Sequence, residues 1–373
     1  MSDNTNVVNF NADQWVVQAV TYKFENYLGQ DSLYLNNGIA YAKDSVFENG
    51  IIEYDIAFAD ESGYMGSAFR MQNESNFEEI YLRPKNSGSI YATQYEPCFN
   101  NVPAWQLFYG EGYNATADFS FNQWNHVKLV VLGHEANLYI NDMDTPVLYV
   151  PELKRGIISG TVGLVVLGGG PEISFAPGYF SNFSYTNTEN VTIKKTSEGK
   201  KIYHEGTVLS WSVSDAFNGE ALNGKTQLTD QDMQERTWEK LDAERSGITN
   251  FAMLHPLLPE KNCVFSRITI DSEKDQMKQL KFGFSNRVHF YLNGKLQFWG
   301  NSTYKCRDYR FLGIMGRYEK IGNSDEMSYL YYYELCLDLK KGENELCMGV
   351  AESFGGWGVV AMFVDMDGIS IAS

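Results

Sequence analysis

Short runs of alternating apolar and polar residues follow one another from the N-terminus to about residue 187. In "GIIEYDIAFA", residues 50–59, alternate apolar residues take one face of a strand, whereas Glu53 and Asp55 take the other. Turn-forming residues separate the runs, and no amphipathic helix of ordinary length intervenes. The pattern predicts an antiparallel β-sandwich with strands over residues 50–59, 66–72, 77–84, 105–110, 124–133, 137–142, 160–168 and 177–187.

The second half of the chain shows the same pattern after a polar interruption. The stretch "NTENVTIKKTSEGKK" is lysine-rich and nearly without large apolar residues, which predicts a linker over residues 188–203. In "YLNGKLQFWG", Asn293 and Gly294 tolerate the positive φ angles of a type I′ turn and predict a tight hairpin. The predicted fold is therefore all-β, with two antiparallel β-sandwich (jelly-roll) domains in tandem over residues 1–187 and 204–373.

Particular stretches of the two halves resemble known families. The first half resembles the concanavalin A-like lectin/glucanase fold, especially its laminin-G-like members, through "WNHVKLVVLGHEANLYIND" (124–142), "GTVGLVVLGG" (160–169) and "FSNFSY" (180–185). The second half resembles the galactose-binding-like jelly roll that accompanies many glycoside hydrolases, through "VHFYLNGKLQF" (288–298) and "LDLKKGENELCMGV" (337–350). Both resemblances imply folds associated with carbohydrate, but the first fold hosts lectins, adhesion modules and hydrolases alike.

Composition narrows the range of partners. A net charge of −17 repels nucleic acid and anionic membranes, so we expect neither as a partner, whereas it does not repel neutral sugars. Aromatic residues make up 14% of the chain, with 24 Tyr and 23 Phe, which suits strands and sugar-facing sheets. The start "MSDNTNVVNF" lacks the pattern of a signal peptide. As the sequence stands we expect a cytoplasmic protein, or an extracellular one if a signal has been trimmed.

Alternation also predicts a polar sheet face in the first domain. Carboxylates and guanidinium groups bind paired hydroxyls, and aromatic faces pack on sugar rings. If the early strands are neighbours, their polar sides and the following loop form a saccharide groove. The predicted ligand-binding residues are Arg70, Gln72, Glu79, Tyr81, Arg83, Gln94, Tyr95, Trp105 and Tyr109. The alternative interpretation is a solvated face carrying cross-strand ion pairs.

Hydrolysis would require a suitably spaced carboxylate pair. Laminarinase-type members of the resembled fold use Glu-x-Asp-x-x-Glu, whereas "EYDIAF" supplies Glu53 and Asp55 but has Phe58 at the third position. Retaining chemistry needs carboxyl groups about 5 Å apart, and Glu53 with Glu79 is the best remaining pair. The broken motif predicts no catalytic residue and disfavours an enzyme. If the chain is an enzyme, a glycoside hydrolase is the class we expect.

Metal and cofactor signals are weak. "NDMDTP" offers oxygen ligands at Asn141, Asp142 and Asp144, which a hairpin turn explains, with a structural calcium ion as the alternative. The five histidines are scattered, which disfavours zinc. Trp357 lies among glycines and is either an exposed sugar platform or, as we expect, a plug at one end of the second domain. We predict no other cofactor.

The leading hypothesis is a carbohydrate-recognition protein that binds an oligo- or polysaccharide on the concave face of the N-terminal sandwich without cleaving it. The first alternative is a divergent glycoside hydrolase, or another carbohydrate-active enzyme, that uses Glu53 and Glu79. The second alternative is a laminin-G-like module that binds a protein partner and is indifferent to sugars.

Overall fold

The computed structural model describes residues 5–167, 175–196, 205–244, 247–303 and 333–373, and the backbone of residues 317–320 and 327–330. Residues 197–203, the C-terminal part of the predicted linker, lie outside this description. Strands account for 54% of the structure and helices for 5%, so the predicted all-β class is confirmed. No helix among the described residues is long and apolar enough to cross a bilayer.

The strands along residues 5–187 are β1 (Thr5–Val7), β2 (Trp15–Tyr27), β3 (Gln30–Ala42), β4 (Gly50–Ala57), β5 (Met65–Asn73), β6 (Asn76–Leu82), β7 (Thr93–Phe99), β8 (Val102–Pro103), β9 (Asn114–Ala115), β10 (Asn125–Leu132), β11 (Glu135–Ile140), β12 (Leu148–Val150), β13 (Thr161–Val166) and β14 (Gly178–Asn187). A 3₁₀ turn spans Pro84–Asn86.

The strands from residue 205 onward are β15 (Ser210–Ser214), β16 (Trp238–Asp242), β17 (Thr249–Asn250), β18 (Cys263–Ser272), β19 (Gln276–Ser285), β20 (Arg287–Leu292), β21 (Lys295–Asn301), β22 (Arg317–Lys320), β23 (Met327–Leu330), β24 (Tyr333–Leu339), β25 (Gly342–Ala351), β26 (Gly358–Phe363) and β27 (Ile369–Ala372). The helical elements here are the 3₁₀ turns Gly219–Leu222 and Phe251–Met253 and one short helix, α1 (Asp230–Gln234).

The chain divides into two compact units that are not simple halves. The first unit comprises Met1–Cys98 and Tyr109–Gly199, and the second comprises Phe99–Phe108 and Lys200–Ser373. The segment Phe99–Phe108, which the sequence analysis placed in the first domain, therefore groups with the second unit. The strand expected over residues 105–110 is also absent, because this stretch forms turns, with Leu107 N donating to Ala104 O at 2.8 Å.

The first unit is built on an antiparallel sheet in the order β12-β11-β10-β4-β14-β3-β13-β5-β6-β7, with β1 on β14, β2 on β3 and β9 on β7. Alternate residues of these strands enter one core, which includes Leu33, Ile56, Leu129 and Phe180. The two longest strands, β2 and β3, form a hairpin that the sequence analysis missed. Its turn uses Leu28 and Gly29 at φ angles of 46° and 81°, and a leucine at positive φ is a weak turn signal.

The second unit contains a sheet in the order β16-β15-β18-β25-β20-β21, with β27 on β18, and a sheet in the order β17-β26-β19-β24. Both sheets contribute to one core, in which Trp211 and Trp357 are fully buried. The Trp357 indole donates to Val350 O at 3.0 Å, so this side chain fills the interior as expected. A smaller cluster, which includes Phe217, Phe265 and Tyr291, covers the opposite face of the first sheet.

Arg70 shows where simple alternation fails. It has a φ of 48°, within an irregularity of the pairing of β5 with β6 and β13, so the strand pattern that placed it on the polar face does not hold. The side chain is only 1% exposed. Its guanidinium donates to Glu48 O at 2.8 Å, Gly156 O at 2.9 Å and Gly133 O at 2.7 Å. Arg70 therefore fastens three loops together and is not available to a ligand.

We expect Arg70→Ala to lower the free energy of unfolding by about 3 kcal/mol or more, because it removes a buried side chain and leaves several partly buried carbonyl oxygens without donors. Gln72→Ala, on the same strand but exposed, is the matched control, and its effect should stay below about 1 kcal/mol. Urea unfolding measures both. Equal effects of the two substitutions would contradict the role assigned to Arg70.

Candidate functional site

The predicted ligand-binding residues do not share one solvent-facing surface. Besides Arg70, the side chains of Glu79, Tyr81, Gln94 and Tyr95 are almost completely buried. Alternation correctly placed Glu79 and Tyr81 opposite Ile80, but it does not reveal that both faces of β6 are covered. The expectation of one open polar face is therefore wrong.

Four of the predicted ligand-binding residues do come together, on β6, on β7 and at Arg83, which directly follows β6. Tyr81 faces Gln94 in register, and Glu79 faces Glu96. Arg83 Nη2 donates to the Tyr81 hydroxyl at 3.2 Å and to Gln94 Oε1 at 2.9 Å. Burial and the neighbouring Glu96 raise the pKa of Glu79 well above its usual range. These groups form a covered polar layer, and their direct binding of a ligand stays a prediction that would require the layer to open.

Tyr95 lies on the core side of β7, within a second buried network. Its hydroxyl donates to Glu78 Oε2 at 2.8 Å and accepts from Lys154 N at 2.7 Å. Glu78 Oε1 accepts from Arg155 N at 2.8 Å. Burial raises the pKa of Glu78 to about 7, although these hydrogen bonds and the charge of Arg70 oppose the shift. The network links β6 and β7 to the loop after β12.

The last three predicted ligand residues are dispersed. Gln72 is exposed and donates to Ser159 O at 2.8 Å. Tyr109 is half-buried against Tyr91, with ring centroids 5.6 Å apart. Trp105 belongs to the second unit, where its ring lies 6.0 Å from that of Phe354.

The carboxylates of β4 lie on a different, open face of the first unit. Asp55 and Glu53 project from β4 beside His126 of the neighbouring strand β10. His126 Nδ1 lies 2.7 Å from Asp55 Oδ1, and His126 Nε2 lies 3.6 Å from Glu53 Oε1. Asn182, at a φ of 51° in a bulge of β14, donates to Asp55 Oδ2 at 2.7 Å. The imidazole thus bridges two carboxylates at a half-exposed position.

This arrangement determines the charge state of the cluster. Hydrogen bonds that His126 donates to Asp55 and, second, to Glu53 raise the pKa of His126 to about 9. The hydrogen bond from His126 lowers the pKa of Glu53. The pKa of Asp55 is also lowered, because the hydrogen bonds from His126 and Asn182 together outweigh the opposing effect of burial. At neutral pH the histidine is a cation and both carboxyl groups are anions.

Aromatic rings adjoin this cluster on the same side of the sheet. Tyr179 stacks on Tyr27 with ring centroids 3.7 Å apart and meets Tyr34 edge to face at 5.2 Å. Tyr27 in turn contacts the edge of Trp124 at 6.0 Å. Tyr179 and Asp55 share the solvent side because Phe180 and Ile56, their neighbours in the two strands, enter the core. We call this surface the tyrosine–histidine face.

The members of the tyrosine–histidine face are Tyr27, Tyr34, Glu53, Asp55, Trp124, His126, Tyr179 and Asn182. The sequence analysis proposed only Glu53 and Asp55 from this set. Alternation in "WNHVKLV", which places Trp124 and His126 opposite Val127, could have revealed the others on β10. The sequence gives no comparable signal for the tyrosines, because the hairpin that carries Tyr27 and Tyr34 was missed.

Glu53 and Glu79 do not form a pair. Strands β4 and β6 are separated by β14, β3, β13 and β5 in the sheet order. Five strand spacings, roughly 24 Å measured along the sheet, lie between the two strands, so the carboxyl groups are not cross-strand neighbours. Glu53 is also half-exposed whereas Glu79 is buried, so the two carboxyl groups occupy different environments.

The proposed calcium ligands form a turn. Asp142 Oδ1 accepts from Asp144 N at 2.8 Å and from Thr145 N at 3.2 Å. Asn141 Oδ1 accepts from His126 N at 2.9 Å. In the part of the chain that the structure describes, no three His, Cys, Asp or Glu side chains are grouped as metal ligands. A calcium ion at this turn stays a sequence-based prediction.

Comparison with known proteins gives structural neighbours of low similarity. No protein-family model and no curated protein matches the chain. A carbohydrate-binding module, CBM66, from Bacillus subtilis is 14% identical, with 46% of this chain and 93% of that chain covered and a TM-score of 0.34. A β-glucanase from Bacillus licheniformis is 10% identical, with 50% and 100% covered and a TM-score of 0.33.

A glycosyl hydrolase family protein from Mycobacterium fortuitum is 10% identical, with 48% of this chain and 94% of that chain covered and a TM-score of 0.32. Proteins that bind or hydrolyse carbohydrate thus recur among the neighbours, at a level of likeness that assigns neither activity to this chain. Its function has to be argued from its own side chains.

We expect Asp55→Asn to lower the pKa of His126 from about 9 towards its ordinary value of 6.5, because the shorter of the two charged contacts is lost. Glu53→Gln should lower it less, since that contact is 3.6 Å long. NMR titration of the imidazole checks both. An ordinary pKa in the unsubstituted protein would show that the bridge does not form in solution.

Glu78 should make stability depend on pH. Its folded-state pKa of about 7 exceeds the ordinary 4.5, so the folded protein holds this proton more tightly than the unfolded chain does. As the pH rises from about 4.5 to about 7, its contribution to the free energy of unfolding therefore falls by on the order of 3 kcal/mol. In Glu78→Gln the decline in stability between pH 5 and pH 8 should be smaller by about this amount, while the raised pKa values of Glu79 and His126 leave their own part of it. Urea unfolding at both pH values measures the difference. An unchanged decline would place its origin elsewhere.

Proposed function

We propose that the protein binds saccharides through the tyrosine–histidine face of its first unit, without cleaving them. The observation that carries this proposal is the joining of a stacked tyrosine platform to a charged carboxylate–imidazole cluster on one open side of a sheet. The platform and the charged groups come from adjoining strands, so the sheet itself fixes their spacing.

The chemistry of the face suits a sugar. The outer surface of the stacked pair Tyr27 and Tyr179 offers an apolar plane for the C–H side of a pyranose or furanose ring. Carboxylate oxygens of Glu53 and Asp55 accept from sugar hydroxyls, and charged acceptors form the stronger class of hydrogen bond. Because His126 and Asn182 already hold Asp55, that carboxylate loses little side-chain freedom when a ligand binds.

The charge state favours binding over cleavage. A glycosidase needs a protonated acid, usually a carboxyl group whose pKa is raised towards neutrality. Here the pKa values of both Glu53 and Asp55 are lowered, and that of His126 is raised to about 9. At neutral pH neither carboxyl group can donate a proton to a leaving group, and the imidazolium is too weak an acid to match that role.

We expect Tyr179→Ala to weaken binding to the best ligand in a panel of neutral glucans, fructans and galactans by about 1–3 kcal/mol, the range for loss of an aromatic anchor. Tyr179→Phe keeps the ring and should retain most of the affinity. Tyr22→Ala removes an exposed tyrosine on the other side of β2 and should have no effect. Affinity electrophoresis ranks the panel, and calorimetry on the chosen polysaccharide measures the three variants.

Loss of affinity in Tyr179→Ala but not in the two control variants would support the face as the binding surface. Equal affinity in all three variants would exclude it. Absence of binding to every polysaccharide by the unsubstituted protein would reject the proposal and leave the laminin-G-like protein-binding hypothesis. Release of reducing sugar from the bound polysaccharide would contradict binding without cleavage.

A further inference from the structure

We infer that the second unit carries its own sugar-binding pocket beside the hairpin of β20 and β21, which accepts one neutral sugar residue. The pocket has a volume of about 300 Å³. Its walls come from the segment Asn223–Thr226 and from His289, Leu296 and Trp299 of the hairpin. None of these residues belongs to the tyrosine–histidine face, so the pocket is a separate site from the one proposed above.

A β-bulge builds the pocket. In the pairing of β20 with β21, Tyr291 faces Leu296 while Phe290 faces Phe298, so Gln297 is an extra residue. In a regular strand, Leu296 and Trp299 would lie on opposite sides. The bulge turns both towards the pocket, because it shifts the alternation by one position. Trp299 is consequently 56% exposed, the most exposed tryptophan among the described residues, and it faces His289 in register.

His289 brings a polar ring to the wall of the pocket. It is only 8% exposed and lines the pocket. Its ring lies nearly parallel to that of Tyr291, with centroids 6.5 Å apart. Burial lowers the pKa of His289, so the ring is neutral at physiological pH and can both donate and accept. A hydroxyl group of a ligand in the pocket can therefore hydrogen-bond to this ring.

The opposite wall is held in place by backbone hydrogen bonds. Leu296 N donates to Thr226 O at 3.0 Å, and Leu228 N donates to Gly294 O at 2.7 Å. The Tyr291 hydroxyl donates to Lys225 O at 2.9 Å. This wall is therefore part of the folded hairpin, and the pocket exists before any ligand arrives, which limits the entropy lost on binding.

The charges in the pocket indicate a neutral ligand. The ammonium group of Lys225 forms an ion pair with Asp232, so it does not present an uncompensated positive charge. The remaining polar groups are the side chains of Asn223, Thr226 and His289, which can each donate to and accept from hydroxyl groups. The cation among the lining residues is therefore paired, and a polyhydroxylated ring finds matching partners in these side chains.

The shape limits the size of the ligand. An exposed indole beside a set of hydroxyl-binding groups suits a sugar ring, which has one apolar and several polar edges. A volume of about 300 Å³ is at the lower end of the range for small-molecule sites. The pocket therefore fits one sugar residue, either free or at the end of a glycan.

Saturation-transfer NMR on the full chain, with glucose, galactose, mannose, fructose and N-acetylglucosamine at millimolar concentrations, tests the inference. We expect at least one of these sugars to bind. Trp299→Ala and His289→Phe should each weaken its binding by about tenfold or more. His289→Phe preserves the ring that packs beside Tyr291, so its loss of binding would report the missing nitrogens. Met277→Ala, an equally exposed apolar residue on β19, is the matched control and should bind normally.

Tyr179→Ala separates this pocket from the site on the first unit, since it should leave monosaccharide binding unchanged. Binding that is lost in Tyr179→Ala and retained in Trp299→Ala would overturn the inference while supporting the proposed function. The inference also fails if none of the five monosaccharides binds, or if Trp299→Ala and His289→Phe both bind like the unsubstituted protein.

Discussion

Both units depend on the two-residue period of the β-strand. Every second side chain must leave water to form a core, as Ile56, Leu129 and Phe180 do in the first unit. Polar chemistry is therefore confined to the remaining positions, and adjacent strands align these in rows. The tyrosine–histidine face is one such row, in which register places Asp55 beside His126.

Several of the side chains discussed above lie where the two-residue alternation of a strand is interrupted. Irregular backbone turns Arg70 inward to fasten three loops, and it brings Asn182 to the Asp55 carboxylate. The bulge at Gln297 points Trp299 and Leu296 into one pocket. Each bulge changes the direction of a side chain without changing the sheet around it. Irregular backbone thus serves packing at Arg70, and it places side chains at the two proposed binding sites at Asn182 and Trp299.

The glutamate residues of β4 and β6 show how the environment gives identical side chains different pKa values. Glu53 is half-exposed beside a histidine, and its pKa is lowered. Glu78 and Glu79 are buried, and their pKa values are raised by desolvation. The protein carries a net charge of −17, so keeping carboxyl groups protonated in the interior also removes repulsion that ionised groups would add there.

The all-β class, most strands of the first unit and the Asn293–Gly294 hairpin were predictable from local pattern, because alternation and turn residues act over a few neighbouring positions. The burial of the residues expected to form a saccharide groove was not predictable from local pattern. Alternation assigns Tyr81 and Glu79 to one side of β6, but it does not say what covers that side. It also cannot foresee a positive φ at an arginine, since nothing in the neighbouring residues of Arg70 marks a bulge. The first failure concerns long-range packing and the second concerns backbone irregularity.

The segment Phe99–Phe108 makes the second unit discontinuous in the sequence. It lies within the sequence of the first unit yet completes the second, where Gln106 donates through its backbone to Gly355 O at 2.9 Å and through its side chain to Phe354 O at 2.7 Å. No single uninterrupted stretch of the gene therefore encodes the second unit in full. A fragment beginning at residue 200 would leave those carbonyls without the donors of Gln106, so the second unit is not one continuous cassette in the manner of an ordinary appended module.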